Sequence, residues 1–170
     1  MKFLVFDIEC TQLEASFGRL VCISAKMLDE NKVRTIYTRW YRNEKKMLQE
    51  FEEWWEEADV VIGVNSKLFD LPFVNARRLH HGLLPLVPKM HVDLRWIAKK
   101  LRFRGASLDG MAKDLRLKNQ KYECAAWQWV LAAEGDMPCI KDIIKHCEQD
   151  VRMTEELFKR LEPLIIRITK

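Results

Sequence analysis

The sequence predicts an α/β domain in which a mixed sheet of about five strands is flanked by helices. Three observations point there. Three runs rich in Val, Ile, Phe and Tyr open the chain, an isolated apolar run follows the first helical pattern, and the longest helical periodicity closes the chain. At 170 residues, 48% hydrophobic and 32% charged, the chain has the size and composition of one globular domain. Such a domain buries roughly 70% of the surface its unfolded chain exposes, enough for a core without disulfide or structural-metal staples.

The opening runs are Lys2 to Cys10, Leu20 to Leu28 and Val33 to Tyr41, separated by short polar or Gly-containing segments, and they read as consecutive antiparallel strands. Glu44 to Ala58 then spaces Met47, Leu48, Phe51, Trp54 and Trp55 at helical intervals among carboxylates. This is an amphipathic helix, and at that spacing the two tryptophans read as core residues ahead of base-stacking platforms. Val60 to Val64 reads as a short strand buried on both faces. A helix over Leu71 to His81 follows, with Gly82 as its C-cap signal. His91 to Leu94 predicts a fifth strand that turns helical from Arg95. Ser107 is an N-cap for a helix through Leu115, and Cys139 to Leu161 carries the longest helical pattern. Leu117 to Pro138, with Trp127 and Trp129, gives no assignment. No internal repeat or linker-like tract argues for a second domain.

Composition narrows the function class. With 29 Lys and Arg against 25 Asp and Glu, the net charge of +4 is far from that of a purely electrostatic nucleic-acid binder. The five cysteines form no CxxC pair and the start MKFLVFDIEC lacks signal-peptide anatomy, so a reduced, cytoplasmic protein is expected. No apolar run approaches the ~18 residues of a membrane span.

The acidic residues carry the chemistry. Asp7 and Glu9 are two apart in the first strand, so both carboxylates emerge on one face. Among Phe3, Leu4, Val5, Phe6 and Ile8 they would suffer repulsion and desolvation, costs that a bound cation would relieve. A frayed strand end meeting water or Lys accounts for them equally well. Asp70, in GVNSKLFDLPF, stands at a helix start where Pro72 suits the first turn, and taken alone it reads first as an N-cap. His146 and Asp150 are four apart and share one face of the last helix. Alone they read as a solvated surface pair. What favours a site is that four acids and one histidine come from elements such a sheet would gather.

FDIEC, GVNSKLFDLPFVNAR and HCEQDVRMTEELF resemble the three exonuclease motifs of the DEDD (DnaQ-like) 3′–5′ exonuclease superfamily. They are most similar to the proofreading domain of family B DNA polymerases and its stand-alone bacterial and phage relatives. HVDLRWIAKKL and SLDGMAKDLRLKNQK also resemble that family's connecting segments, so the similarity spans nearly the whole chain and implies a single exonuclease domain over 1–170 with an RNase H-like fold. The resemblance implies that Asp7, Glu9, Asp70 and Asp150 are the metal-associated acids and that His146 holds the water-activating position. It further implies that Asp7 bridges two ions, that Glu9 and Asp150 serve mainly the ion generating the nucleophile, and that Asp70 serves the second. Asn65, Phe69 and Arg77 also match and are expected near substrate. One departure is informative: this chain has histidine at the spacing the family gives to tyrosine, which leaves the orientation of His146 open.

Hard oxygen ligands favour Mg²⁺ or Mn²⁺, and two such ions are the expected cofactors. The expected reaction is hydrolysis of single-stranded DNA or frayed 3′ ends, with RNA open as a substrate; a structure-selective nuclease or an inactive binding module are the alternatives. No polymerase segment accompanies the motifs, so a stand-alone enzyme is expected. Phe17 in the first hairpin reads as a contact to a terminal nucleotide or as loop-tip packing, and Lys99, Lys100, Arg102 and Arg104 as a phosphate path or a solvated basic face. His80 and His81 are expected on a helix surface, and no histidine spacing suggests zinc.

Overall fold

A computed structural model of the chain describes residues 1–103 and 105–168. Its strands are β1 (Phe3–Cys10), β2 (Leu20–Met27), β3 (Arg34–Tyr37), β4 (Val60–Gly63) and β5 (Met90–Asp93). Its helices are α1 (Glu44–Glu57), α2 (Asp70–His80), α3 (Leu94–Lys100), α4 (Leu108–Asp114), α5 (Ala126–Ala133) and α6 (Met137–Ile168), with a 3₁₀ turn at Tyr41–Asn43. One sheet runs in the order β3-β2-β1-β4-β5. β1, β2 and β3 pair antiparallel, while β4 pairs parallel with both β1 and β5.

Helices cover both faces of this sheet, and the alternation along β1 sorts its side chains between them. Leu4, Phe6 and Ile8 point into the core that α1 and α2 close with Met47, Leu48, Phe51, Trp55, Phe73 and Val74. Val5 points the other way, into a second core shared with Ile62, Leu94, Met111, Val151 and Leu157. Trp55 is fully buried and donates its indole N–H to the Val87 carbonyl at 2.8 Å, and Trp54 is nearly so, as the helical spacing predicts.

Most ends follow local signals. Gly82, at φ +70, closes α2 in the left-handed conformation, with the Leu83 N–H donating to the Arg78 carbonyl and the Gly82 N–H to the Leu79 carbonyl. Ser107 caps α4 by accepting the Gly110 N–H at 3.2 Å. Two expectations are corrected in length. β3 ends at Tyr37, short of Tyr41, because the Thr38 hydroxyl donates to the Trp40 carbonyl at 2.6 Å and redirects the chain. α6 continues past Leu161 and through Pro163 to Ile168, because Leu164 and Ile165 still pack on the second core. The unassigned Leu117–Pro138 stretch contains α5. Arg104 of the expected basic run lies outside the described residues.

Candidate active site

The β1–β4 ladder runs from Phe3↔Val60 to Val5↔Ile62, so the second half of β1 lies beyond the end of β4. Asp7 and Glu9 fall in that half, on the same face as Val5, which is the face α6 covers. A register shift follows Glu9 at once, the kind of irregularity that re-aims side chains at a strand end. The frayed-end alternative does not hold for the β2 side, where Asp7 and Glu9 pair with Ser24 and Cys22.

α6 crosses this face so that its residues meet β1 in turn. Cys147 places Sγ 3.4 Å from Asp7 Oδ2, and His146 places Nε2 3.4 Å from Glu9 Oε1 and 3.7 Å from Asp150 Oδ2. His146 Nδ1 is hydrogen-bonded to the Tyr122 carbonyl. A carbonyl oxygen only accepts, so Nδ1 carries a proton and the neutral ring has its lone pair on Nε2, toward the two carboxylates.

Asp70 arrives from the other side of the sheet edge. It is the first residue of α2, yet it makes no cap: Phe69 is the N-cap residue and no side chain caps the helix. The Asp70 carboxylate instead accepts the Ile8 N–H at 3.3 Å. The loop that delivers it is pinned by Asp93, whose carboxylate accepts the N–H groups of Asn65 and Lys67 at 2.9 and 3.1 Å. Asn65 adopts φ +63 there, and a Cβ on Gly63 would sit 2.2 Å from Ser66 Oγ, so this tight return needs glycine at 63.

Burial and crowding raise the proton affinity of all four acids. Asp70 and Asp150 are buried and Asp7 and Glu9 keep only partial exposure. Desolvation pushes Glu9 up to about 8, with Asp150 and Asp70 adding repulsion against the opposing indole hydrogen bond. Asp70 rises to about 7, mainly by desolvation. Asp7 lies well above the usual carboxylate range from desolvation and then its charged neighbours, and Asp150 is raised by burial although His146 and Lys121 oppose this.

The donor chemistry fits hard divalent cations. Asp150 Oδ1 is buried with no hydrogen-bond partner among the described residues, an acceptor left for something not of the protein. Among the described residues, no three His, Cys, Asp or Glu side chains are already drawn together as ligands around one point.

Beside the acids lies an open cleft of about 630 Å³, lined by Phe17, Thr11, Tyr41, Trp129 and Val130 among others. Phe17 is 76% exposed at its rim. Arg77 also borders the cleft but is only 2% exposed, its guanidinium engaged by Glu44 at 2.7 Å and by the Ala15 carbonyl at 2.8 Å. Arg77, expected near substrate, is thus held in the cleft wall by Glu44 and the Ala15 carbonyl. Phe69 packs on Phe73 with ring centroids 5.8 Å apart, and Asn65 serves the turn before Asp70. His80 is exposed as expected, whereas His81 is half-buried, with Nε2 2.8 Å from Glu44 Oε2. Lys99 and Lys100 lie on α3, outside the cleft lining, and Lys99 sits over the Trp96 ring.

Several neighbours of the acids escaped the sequence. Trp129 of α5 donates its indole N–H to Glu9 Oε2 at 3.2 Å and stands edge-on to His146, with centroids 5.6 Å apart. Arg19 holds α5 there, donating to the carbonyls of Ala132 and Ala133 at 3.2 and 2.9 Å. Lys121 supplies positive charge close to Glu9 and Asp150.

The family model of the RNase H superfamily (RNase_H_2) matches residues 4–162. The chain belongs to the RNase H superfamily. Its five-stranded mixed sheet flanked by helices is the RNase H-like fold, and nucleases of that superfamily generally use divalent metal ions. Among solved structures it resembles the family B DNA polymerase from the hyperthermophilic archaeon Pyrobaculum calidifontis, with a TM-score of 0.81 and 19% identity over 98% of this chain. The match covers 25% of that polymerase, so the chain spans about a quarter of its length. No curated protein matches the sequence. Among the described residues, no helix is long and apolar enough to cross a membrane.

Proposed function

We propose that this RNase H superfamily member is a DEDD-type, metal-dependent 3′–5′ exonuclease acting on single-stranded DNA or frayed 3′ ends, with residues 1–170 forming one nuclease domain. The observation that carries this reading is the convergence of Asp7, Glu9, Asp70 and Asp150 with His146 beside the open cleft. Asp7, Glu9 and Asp150 would hold one Mg²⁺ or Mn²⁺ ion and Asp7 with Asp70 a second. Bound together, such ions supply an activated water and neutralise charge on the phosphate and the leaving oxygen.

The chain's own residues supply the rest. With Nδ1–H fixed on the Tyr122 carbonyl, His146 offers Nε2 to accept a proton from the attacking water. The Trp129 indole holds one oxygen of Glu9 and so fixes that side chain. Phe17, Tyr41 and Trp129 offer ring faces along the cleft on which bases of a single strand can stack. The five cysteines are all free, which supports a reducing, cytoplasmic setting.

The test is product analysis. With Mg²⁺ or Mn²⁺, a single-stranded DNA labelled at its 5′ end should shorten stepwise from the 3′ end and release mononucleotides, a 3′-phosphate should slow this strongly, and circular single strands should survive. Asp7→Ala and Asp150→Ala should be folded and inactive. Nicking of circles, or near wild-type rates in either variant, would overturn the assignment; faster RNA cleavage would move it to an exoribonuclease.

A further inference from the structure

We infer that Cys147 is a positioning residue for Asp7: its thiol donates to Oδ2 of that carboxylate and fixes which oxygen Asp7 presents to the centre. The inference rests on the metal-dependent nuclease reading. Cys147 lies on α6 between His146 and Asp150 and is fully buried. Its Sγ stands 3.4 Å from Asp7 Oδ2 and 3.5 Å from the Asp7 carbonyl oxygen. The Asp7 carbonyl and an ionised Asp7 carboxylate only accept, so the sulfur meets them through its one S–H, directed to one of the two at a time, with the Cys22 and Ser24 side chains also beside it. A thiol is a weak donor in water, but the Cys147 sulfur is fully buried, which strengthens the bond.

The neighbouring acids show the same pattern. Asp70 has one oxygen held by the Ile8 N–H and Glu9 has one held by the Trp129 N–H. Cys147 is the corresponding donor for Asp7, at Oδ2. A carboxylate held by one oxygen presents the other in a set direction, and donors behind metal ligands commonly carry a tenfold or larger share of the affinity. The competing account is that Cys147 only fills the apolar cluster of Val21, Cys22, Ile140 and Ile143.

The two accounts part in metal binding. Mn²⁺ affinity would be measured by titration calorimetry on the full chain as wild type, Cys147→Ala, Cys147→Ser and Asp7→Ala, with thermal unfolding of each. The expected result is a folded Cys147→Ala that binds Mn²⁺ about tenfold or more weakly, with Cys147→Ser, which keeps a donor, recovering most of the loss. In turnover the alanine variant should lose kcat while KM for DNA stays level. Alanine binding within about twofold of wild type, or serine falling as far as alanine, would overturn the inference. If Cys147→Ala does not fold, the infrared S–H band in the difference between wild type and Cys147→Ser decides. A band that moves on saturation with Mn²⁺ supports the inference, and one that does not move overturns it. A wild type that binds no Mn²⁺ overturns the nuclease reading itself, whereas normal wild-type binding with an indifferent alanine variant overturns the role of Cys147 alone.

Discussion

His146 is oriented by a backbone carbonyl, and this decides what its substitution should do. Because Tyr122 takes the Nδ1 proton, the nitrogen left for chemistry is the one facing Glu9 and Asp150. His146→Ala should therefore lower kcat far more than it raises KM in steady-state cleavage of single-stranded DNA. His146→Tyr should recover part of the rate, since the spacing is the one tyrosine uses in the family the motifs resemble. Unchanged turnover in the alanine variant would make His146 a bystander. Arg77 predicts the opposite kind of loss. Its guanidinium and the Glu44 carboxylate are both buried and paired, and removing one partner strands a charge. Arg77→Met should cost roughly 3–5 kcal/mol in denaturant unfolding. Arg77 is held in the cleft wall by Glu44, a partner too far away in sequence for any local pattern to announce it.

Elements differ in how much of their making is local. β1 and α6 were legible because each carries its own periodicity, and two residues two apart on a strand or four apart on a helix share a face whatever surrounds them. That arithmetic alone put Asp7 with Glu9 and His146 with Asp150. α5 was not legible. It has eight residues, an N-cap alanine with no side-chain acceptor whose N–H goes to Gln128 Oε1 at 2.7 Å, and an exposed face carrying Trp127 and Val130. It docks through Arg19, more than a hundred residues earlier, the Trp129 bond to Glu9, the Gln128 bond to Asp142 and the buried Ala132. A short helix with an exposed outer face is a lower-stability unit than the long, buried α6. Arg19→Met should speed amide hydrogen exchange across 126–133 while leaving α6 protected, and cleavage should slow as the indole leaves Glu9. Equal exchange in both proteins would mean that α5 is held by its own packing. The β3 end and the run of α6 through Pro163 were misjudged for the same reason: a side chain or a core elsewhere outweighed the local stop or continuation signal.

At the scale of the molecule, the crowded acids couple stability to pH. A carboxyl whose affinity for protons is higher folded than unfolded favours the folded state at low pH, and that contribution is lost as pH rises through the folded value. With Asp70 at about 7 and Glu9 at about 8, the loss runs from the ordinary carboxylate range up to about 8. Each group accounts for up to ~1.4 kcal/mol per pH unit within its window, and 1 kcal/mol moves Tm by roughly 2–4 °C in a chain of this size. Metal-free protein should therefore melt several degrees lower at alkaline than at mildly acidic pH by scanning calorimetry, and Glu9→Gln should flatten part of that slope. A Tm independent of pH would contradict the crowding. This has a consequence for chelation. On the proposed metal-dependent reading, stripping divalent ions in alkaline buffer removes the counter-charge from four carboxylates at once, so some chains should open as well as lose the ions. Cleavage lost in that way returns only as quickly as those chains refold, whereas in mildly acidic buffer, where protons replace the ions, readdition should restore it at once.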